Sequence, residues 1–277
     1  MREHRIKGGG GVELFVTDQG EIDAPALVLV HGWSQSHICW QAQSKLAETY
    51  RLIAFDLRGH GASQKPEDTA AYTDTKLWGA DIDAVIQGLE LKQPILVGWS
   101  YGGRVIASYL DGFGDAAVSG VVLSGAILAI GDAREDWMVG PASSGMNKDL
   151  YSDDIARRQP ATEKFVRDCT TEALDDSLTE DLVASNMQCP ANVRRALFAA
   201  NWDFQPVYEK FSKPALVIHG VEDQVVEPLV GITISELIDG SDLVLYENAG
   251  HAAFLEQPER FNTDLSSFAT TAFGAAP

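Results

Sequence analysis

The chain has 277 residues, of which 45% are hydrophobic, and its formal net charge is −19. This length and composition can form one large buried core with room for an insertion. The acidic charge argues against binding of nucleic acid or docking on an anionic membrane. It either keeps the protein soluble or favours neutral and cationic ligands over anionic ones.

The first residues, MREHRIKGGGG, are basic, and no apolar segment follows them, which argues against a secretory signal. The four glycines at 8–11 indicate a turn before a first strand. The longest apolar stretch, residues 121–130, is too short to span a bilayer. The three cysteines form no CxxC pair, which is typical of free thiols in a reducing compartment, and we therefore expect a cytoplasmic protein.

Six short apolar runs predict buried strands of a parallel sheet. Each run is nearly continuous in apolar residues and has the length of a strand that is covered on both faces. In chain order the runs are residues 26–31, 51–56, 94–99, 119–126, 214–220 and 242–247.

Helix-like segments lie between these runs. Residues 74–90 carry apolar side chains at helical spacing, residues 101–110 follow a strand directly, and residues 257–268 have a proline near their first turn. The alternation of strands and helices predicts an α/β fold with a mostly parallel sheet and right-handed crossovers.

The stretch from about 131 to 208 contains no strong strand pattern. It predicts three helices, over residues 161–172, 178–188 and 191–201. The second of them has a capping-box pattern at Ser177 and Glu180. Ligands of open parallel sheets bind beyond the carboxyl ends of the strands, so we expect a helical lid there. We therefore expect three parts: a first part of the core at residues 1–130, a helical lid at residues 131–208 and a second part of the core at residues 209–277.

The motif GWSYGG at 98–103 places a serine between a predicted strand and a predicted helix. In that context a sharp turn lifts the Ser100 hydroxyl clear of the sheet, and Gly98 and Gly102 avoid collisions across the turn. Chance occurrence of this pattern between a strand and a helix is rare. Ser100 is therefore the candidate nucleophile.

A serine hydroxyl needs a base that removes its proton. Of the six histidines, His251 follows the last predicted strand and so lies on the same edge of the sheet as Ser100. His31 and His60 lie in tight glycine loops, where a structural role is the better interpretation. His251 is therefore the candidate base.

The base needs an acid that holds its tautomer. Asp223 follows the strand at 214–220, and the order Ser100, Asp223, His251 is the one expected for a nucleophile on such a strand–helix turn. Glu222 is the competing candidate. Two backbone N–H groups are predicted to hold an oxyanion, those of Tyr101, directly after the serine, and Trp33, in the loop after residues 26–31.

These motifs together resemble the α/β-hydrolase superfamily, and the similarity extends over nearly the whole chain. The landmarks are HGW at 31–33, FDLRGHGAS at 55–63, GWSYGG, HGVED at 219–223 and NAGH at 248–251. The sequence is most similar to bacterial serine α/β hydrolases and cofactor-free haloperoxidase-like proteins. The resemblance implies a triad of Ser100, Asp223 and His251 with oxyanion donors at Trp33 and Tyr101. Many relatives have histidine where this chain has Trp99.

The motifs favour a serine hydrolase that cleaves an ester or lactone of a small, mainly apolar molecule. A haloperoxidase or perhydrolase, a carbon–carbon-cleaving or dioxygenase-like enzyme, and a ligand receptor with an intact triad stay open, because the same triad serves all of them. No metal-binding or cofactor-binding pattern is present, and the oligomeric state is not encoded in any motif. Aromatic and thioether side chains suggest an apolar pocket lined by Trp33, Trp137, Met187 and Trp202.

Overall fold

An eight-stranded mixed sheet forms the centre of the protein in the computed structural model, which describes residues 1–274. A separate pair of two-residue strands, β7 and β8, lies in the insertion. The ten strands are β1 (Arg2–Lys7), β2 (Glu13–Gln19), β3 (Ala26–Val30), β4 (Arg51–Phe55), β5 (Ile95–Trp99), β6 (Gly120–Ser124), β7 (Ala129–Ile130), β8 (Trp202–Asp203), β9 (Ala215–Gly220) and β10 (Asp242–Tyr246).

The central sheet has the spatial order β1-β2-β4-β3-β5-β6-β9-β10. The β1–β2 and β2–β4 pairs are antiparallel, and all the others are parallel. Every residue of β3, β5 and β6 is buried, because helices cover both faces of the sheet. The predicted α/β fold with a mostly parallel sheet is confirmed.

The two edges of the sheet differ from the prediction. The sequence predicts one strand after the glycine turn at 8–11, whereas the structure has a strand on each side of it, and β1 and β2 form a hairpin. In β1 half-buried and exposed positions alternate, as in an edge strand with one solvent-exposed face, so it has no continuous apolar run. At the opposite edge, β10 was predicted as buried, yet Leu243 and Leu245 are exposed.

Ten α-helices surround the sheet, and a twelve-residue 3-10 helix covers residues 37–48. No helix within residues 1–274 is long and apolar enough to cross a bilayer. The α-helices are α1 (Ala70–Thr73), α2 (Thr75–Gly88), α3 (Tyr101–Phe113), α4 (Ile155–Asp168), α5 (Asp176–Met187), α6 (Ala191–Ala196), α7 (Gln205–Tyr208), α8 (Pro228–Leu237), α9 (Ala253–Glu256) and α10 (Pro258–Ala272).

The segment between β6 and β9 is helical, and the antiparallel pair of β7 and β8 joins its two ends. Its helices differ in detail from the prediction. Helix α4 begins at Ile155, six residues before the predicted start at 161, and continues through Pro160. The cap of α5 is Asp175, whose carboxylate accepts from the N–H groups of Ser177 and Leu178, so the predicted capping box is wrong.

A buried ion pair attaches the glycine turn to helix α2. The Arg58 guanidinium donates to both carboxylate oxygens of Asp81 at 2.7 Å, and Asp81 also accepts from the backbone N–H of Gly9 at 2.9 Å. Both charged side chains are at most 1% exposed. Removal of either partner would therefore leave the other charge buried and unpaired.

Two buried histidines join the loops that follow β3 and β4. His31 accepts the N–H of Leu57 at 3.0 Å, and His60 accepts the N–H of Ser34 at 3.2 Å. Burial lowers the pKa of His31 to about 3 and the pKa of His60 to about 4. Both rings are therefore neutral at neutral pH and serve as acceptors within the core.

We expect Asp81→Ala to lower the free energy of unfolding by about 3–5 kcal/mol, because Arg58 then remains buried without a counter-charge. Asp83→Ala is the matched control, since Asp83 lies on the same helix and is half-exposed. Its effect should stay within about 0.5 kcal/mol. Urea unfolding of both variants measures the difference, and equal losses would contradict a structural role for this ion pair.

We also expect the protein to lose stability as pH falls from about 6.5 towards 4. An unfolded histidine titrates near 6.5, whereas folded His31 and His60 titrate near 3 and 4. In that window the unfolded chain binds more protons, so each histidine lowers the free energy of unfolding by up to about 1.4 kcal/mol per pH unit. Urea unfolding across this range should show a smaller slope in His60→Gln. An unchanged slope in that variant would show that His60 does not titrate in this way.

Candidate active site

Ser100 lies on a strained turn between β5 and α3. Its backbone angles are φ 54° and ψ −115°, a region that residues other than glycine rarely adopt. The turn is held by hydrogen bonds from the Ser100 N–H to the Ser124 carbonyl at 2.9 Å and from the Gly103 N–H to the Ser100 carbonyl at 3.0 Å. Ser100 is 7% exposed, and its side chain lines a small cavity.

Close packing around this turn requires small residues. A Cβ atom at Gly102 would overlap the carbonyl oxygen of Val30 at the end of β3. A Cβ atom at Gly32 would lie 3.2 Å from the Ser100 Cβ. The loop after β3 therefore packs directly against the serine.

His251 and Asp223 are joined by a hydrogen bond near the same turn. The His251 Nδ1–H donates to Asp223 Oδ2 at 2.8 Å, and both residues are buried. Trp99, which precedes the serine, donates its indole N–H to the His251 carbonyl at 2.9 Å, and the two rings are 5.5 Å apart. The Nε2 atom of His251 has no hydrogen-bond partner among residues 1–274, which leaves it available at the site.

The Asp223 carboxylate is stabilised in its charged form. Burial by itself raises the pKa of Asp223, but His251 and His219 outweigh burial and hold that pKa well below its usual range. The other oxygen, Oδ1, accepts the N–H groups of Val225 at 2.8 Å and Val226 at 3.0 Å.

A second histidine adjoins this carboxylate, and the sequence analysis assigned it no role. The Nε2 atom of His219, at the end of β9, lies 3.0 Å from Asp223 Oδ2 and 3.2 Å from the Val226 carbonyl, to which its N–H is directed. The sequence feature that could have identified His219 is its position four residues before the candidate acid, Asp223.

Glu222, the competing acid, lies elsewhere. Its carboxylate accepts the N–H of Ala249 at 3.1 Å and makes no contact with the His251 ring. The side chain therefore holds the loop on which His251 lies, while Asp223 alone of the two reaches the imidazole.

The predicted oxyanion donors belong to the residue after Ser100 and to the loop that packs against it. The backbone N–H groups of Trp33 and Tyr101 have no acceptor within residues 1–274. Tyr101 is the first residue of α3, so its N–H is one of the free donors at a helix start. Trp33 lies in the loop that packs on Ser100, and its ring also lines the cavity.

The cavity beside Ser100 is small and mainly apolar. Its volume is about 30 Å³, enough for one or two water-sized molecules. A larger groove of about 780 Å³ adjoins it, and Ser143 and Phe165 line both. Other walls of the small cavity come from Ile127, Leu128, Met138, Phe198, Val225 and Val226.

Of the four predicted pocket residues, only Trp33 lines this cavity. Trp137 and Trp202 are half-buried against the core, and the Trp202 ring packs on Phe204. Met187 ends α5 and lines a groove on the outer side of the insertion. Phe165, on α4, and Phe198, two residues after α6, line the cavity instead. The sequence pattern could not show which side of these segments faces the sheet.

The helical insertion is attached to every loop of the site. The Ala142 N–H donates to the Gln224 carbonyl at 2.7 Å, beside Asp223, and the Ala252 N–H donates to the Cys169 carbonyl at 2.8 Å, beside His251. The Tyr101 hydroxyl donates to the Leu197 carbonyl at 2.8 Å. The walls of the cavity and the candidate catalytic loops therefore form one connected unit.

Comparison with solved structures and characterised sequences gives consistent results. The fold superimposes on an esterase from Rhodococcus sp. with a TM-score of 0.91 and 33% identity, covering 98% of this chain and 100% of the other. The bifunctional esterase/perhydrolase of Acinetobacter calcoaceticus is 27% identical over 93% of this chain and 96% of its own length. The 3-oxoadipate enol-lactonase 2 of Acinetobacter baylyi is 29% identical over 88% of each chain.

The family comparison covers both parts of the core and the insertion between them. Residues 27–264 match the alpha/beta hydrolase family. This range includes the strained serine turn and the loops of Asp223 and His251. The resemblance predicted from the sequence motifs is confirmed. This chain belongs to the alpha/beta hydrolase family.

Proposed function

We propose that the protein is a serine hydrolase that cleaves esters or lactones of small, mainly apolar molecules through an acyl-enzyme. The observation that carries the proposal is the hydrogen bond between His251 and Asp223 beside the strained Ser100 turn. Similarity to esterases and a lactonase supports the same class of reaction.

In this proposal His251 Nε2 takes the proton of the Ser100 hydroxyl as Oγ attacks the substrate carbonyl carbon. The protonated imidazole is stabilised by the Asp223 carboxylate, whose low pKa keeps it charged throughout the working pH range. His251 then gives its proton to the leaving alcohol. Water, activated by the same imidazole, hydrolyses the acyl-enzyme and regenerates Ser100.

The N–H groups of Trp33 and Tyr101 would hold the oxyanion of the tetrahedral intermediate. Both are free of protein acceptors, and both belong to segments fixed by core packing, so they need no rearrangement when charge develops. An acyl group larger than one or two waters requires the cavity walls to move. Nearly half of the described residues that line the cavity belong to residues 131–208, which we propose as the lid that selects the substrate.

A perhydrolase activity of the same site is the second candidate, favoured by similarity to the bifunctional esterase/perhydrolase. Hydrogen peroxide would replace water in the attack on the acyl-enzyme and give a peracid. Assays of p-nitrophenyl esters with and without peroxide and a carboxylic acid separate the two activities. Tight binding with a single slow turnover would instead indicate a receptor.

We expect Ser100→Ala to lower kcat for p-nitrophenyl acetate by about four to six orders of magnitude, because the nucleophile and base act as a unit. A fluorophosphonate should label Ser100 in the wild type, as read by peptide mass spectrometry. Ser124→Ala is a matched control, since this buried serine lies at the end of the neighbouring strand. Retention of more than about a tenth of the activity in Ser100→Ala would refute the acyl-enzyme proposal.

We expect Asp223→Asn to lower kcat by about three to four orders of magnitude, because an amide cannot hold the required imidazole tautomer. Glu222→Gln is the control, since Glu222 contacts only the backbone of the His251 loop and glutamine can still accept that N–H. Its kcat should change by less than about tenfold. The reverse order of damage would make Glu222 the catalytic acid.

A further inference from the structure

We propose that Arg134 forms an anion-binding subsite in the Ser100 cavity, so that the preferred substrates are esters bearing a carboxylate at the end remote from the ester group. The inference deepens the proposed esterase function and rests on it. It names a chemical class of substrate, the half-esters of small dicarboxylic acids.

The cavity has a single charge in its walls. Among the described residues that line it, Arg134 is the only ionisable one, and the others are apolar residues and three serines. A guanidinium in an otherwise apolar wall is a strong and directional recognition element for a carboxylate, because it offers a planar fork of N–H donors. No carboxylate of the protein lines this cavity within residues 1–274.

The guanidinium of Arg134 is not used by the protein itself. Within residues 1–274 it has no ion pair and no hydrogen-bond acceptor, and its main contact is the ring of Phe198, whose centroid is 5.5 Å from Cζ. Arg194, in contrast, is saturated by acceptors that include the carbonyls of Cys189, Leu150 and Asn186. Stacking on a ring leaves the donor edge of the Arg134 guanidinium free for a ligand.

The position of Arg134 suits the remote end of a substrate. Phe198 packs on the rings of Tyr101 at 5.5 Å and Trp33 at 6.5 Å, the two residues whose N–H groups are the candidate oxyanion donors. Arg134 stacks on the same phenyl ring. Ser100 and Arg134 line the same cavity, so once its walls move to admit an acyl group, a substrate that reacts at Ser100 would extend past Phe198 and place a terminal carboxylate on the guanidinium.

Neighbouring groups would support a bound carboxylate. The Ser144 hydroxyl lines the cavity and accepts from the Tyr151 hydroxyl at 3.2 Å, so its own proton can be donated to a ligand. Burial lowers the pKa of Arg134, since the charge is partly desolvated without a partner. A carboxylate would supply that partner in surroundings of low dielectric constant, where the ion pair is strong.

The experiment compares methyl half-esters of succinic, glutaric and adipic acid with the methyl esters of the matching monoamides, which have the same shape without the charge. We expect wild-type kcat/KM to favour at least one half-ester over its amide by about ten- to a hundredfold. In Arg134→Gln the ratio should fall towards one, and Arg134→Lys should restore part of it. Arg157→Gln removes one charge from an exposed residue of α4 and should keep the wild-type ratio.

Binding of the same compounds to Ser100→Ala, measured by calorimetry, tests the subsite without turnover. The half-ester should bind about ten- to a hundredfold more tightly than its amide, and Ser100→Ala combined with Arg134→Gln should remove the difference. Equal binding and equal kcat/KM of acid and amide at all three lengths, or a preference that survives Arg134→Gln, would overturn the subsite. If neutral esters are hydrolysed through Ser100 without such a preference, only the subsite fails. Selective binding without any labelling or hydrolysis at Ser100 would instead reject the proposed function.

Discussion

The backbone of Ser100 is the constraint on which the candidate site depends. A serine at φ 54° and ψ −115° costs about 1–3 kcal/mol relative to a relaxed residue, so the surrounding packing must hold it. Strand β5 is clamped between β3 and β6, and Gly102 lets α3 begin directly against the end of β3. The rigid sheet therefore stabilises a conformation that places the serine hydroxyl at the cavity and leaves the N–H of Tyr101 without an acceptor among residues 1–274.

The parallel arrangement of the inner strands brings distant parts of the chain to one edge. The loops after β3, β5, β9 and β10 all leave the sheet at the carboxyl ends of their strands, and the insertion after β6 covers them. A hydrogen bond donated by Ala142 and one accepted by the Cys169 carbonyl tie the insertion to the loops of Asp223 and His251. A change in the insertion would therefore affect the orientation of the candidate catalytic groups as well as the shape of the cavity.

The electrostatics of the surface and of the cavity have opposite signs. The chain as a whole carries a formal charge of −19, which by itself repels anions at long range. Inside the cavity, Arg134 supplies a local positive charge, whereas the ionised Asp223 lies outside the cavity lining and accepts hydrogen bonds from His251, Val225 and Val226. The attraction between Arg134 and a bound carboxylate acts at short range in an apolar cavity. It outweighs the repulsion by the acidic surface, because solvent and salt screen that repulsion within about 10 Å.

Local patterns in the sequence determined the strands, the serine turn and the order of the candidate catalytic residues. A buried parallel strand must be apolar along its length, and a turn as sharp as that at Ser100 requires glycines, so both features can be read from a few adjacent residues. Strand β1 escaped prediction because an edge strand with one solvent-exposed face has no such apolar run. Only the tertiary structure decided that Phe165, Phe198 and Arg134, and not Trp137, Met187 or Trp202, lie beside Ser100. Which side of a helix in the insertion faces the cavity depends on its long-range packing against the sheet edge, and no short segment of sequence contains that information.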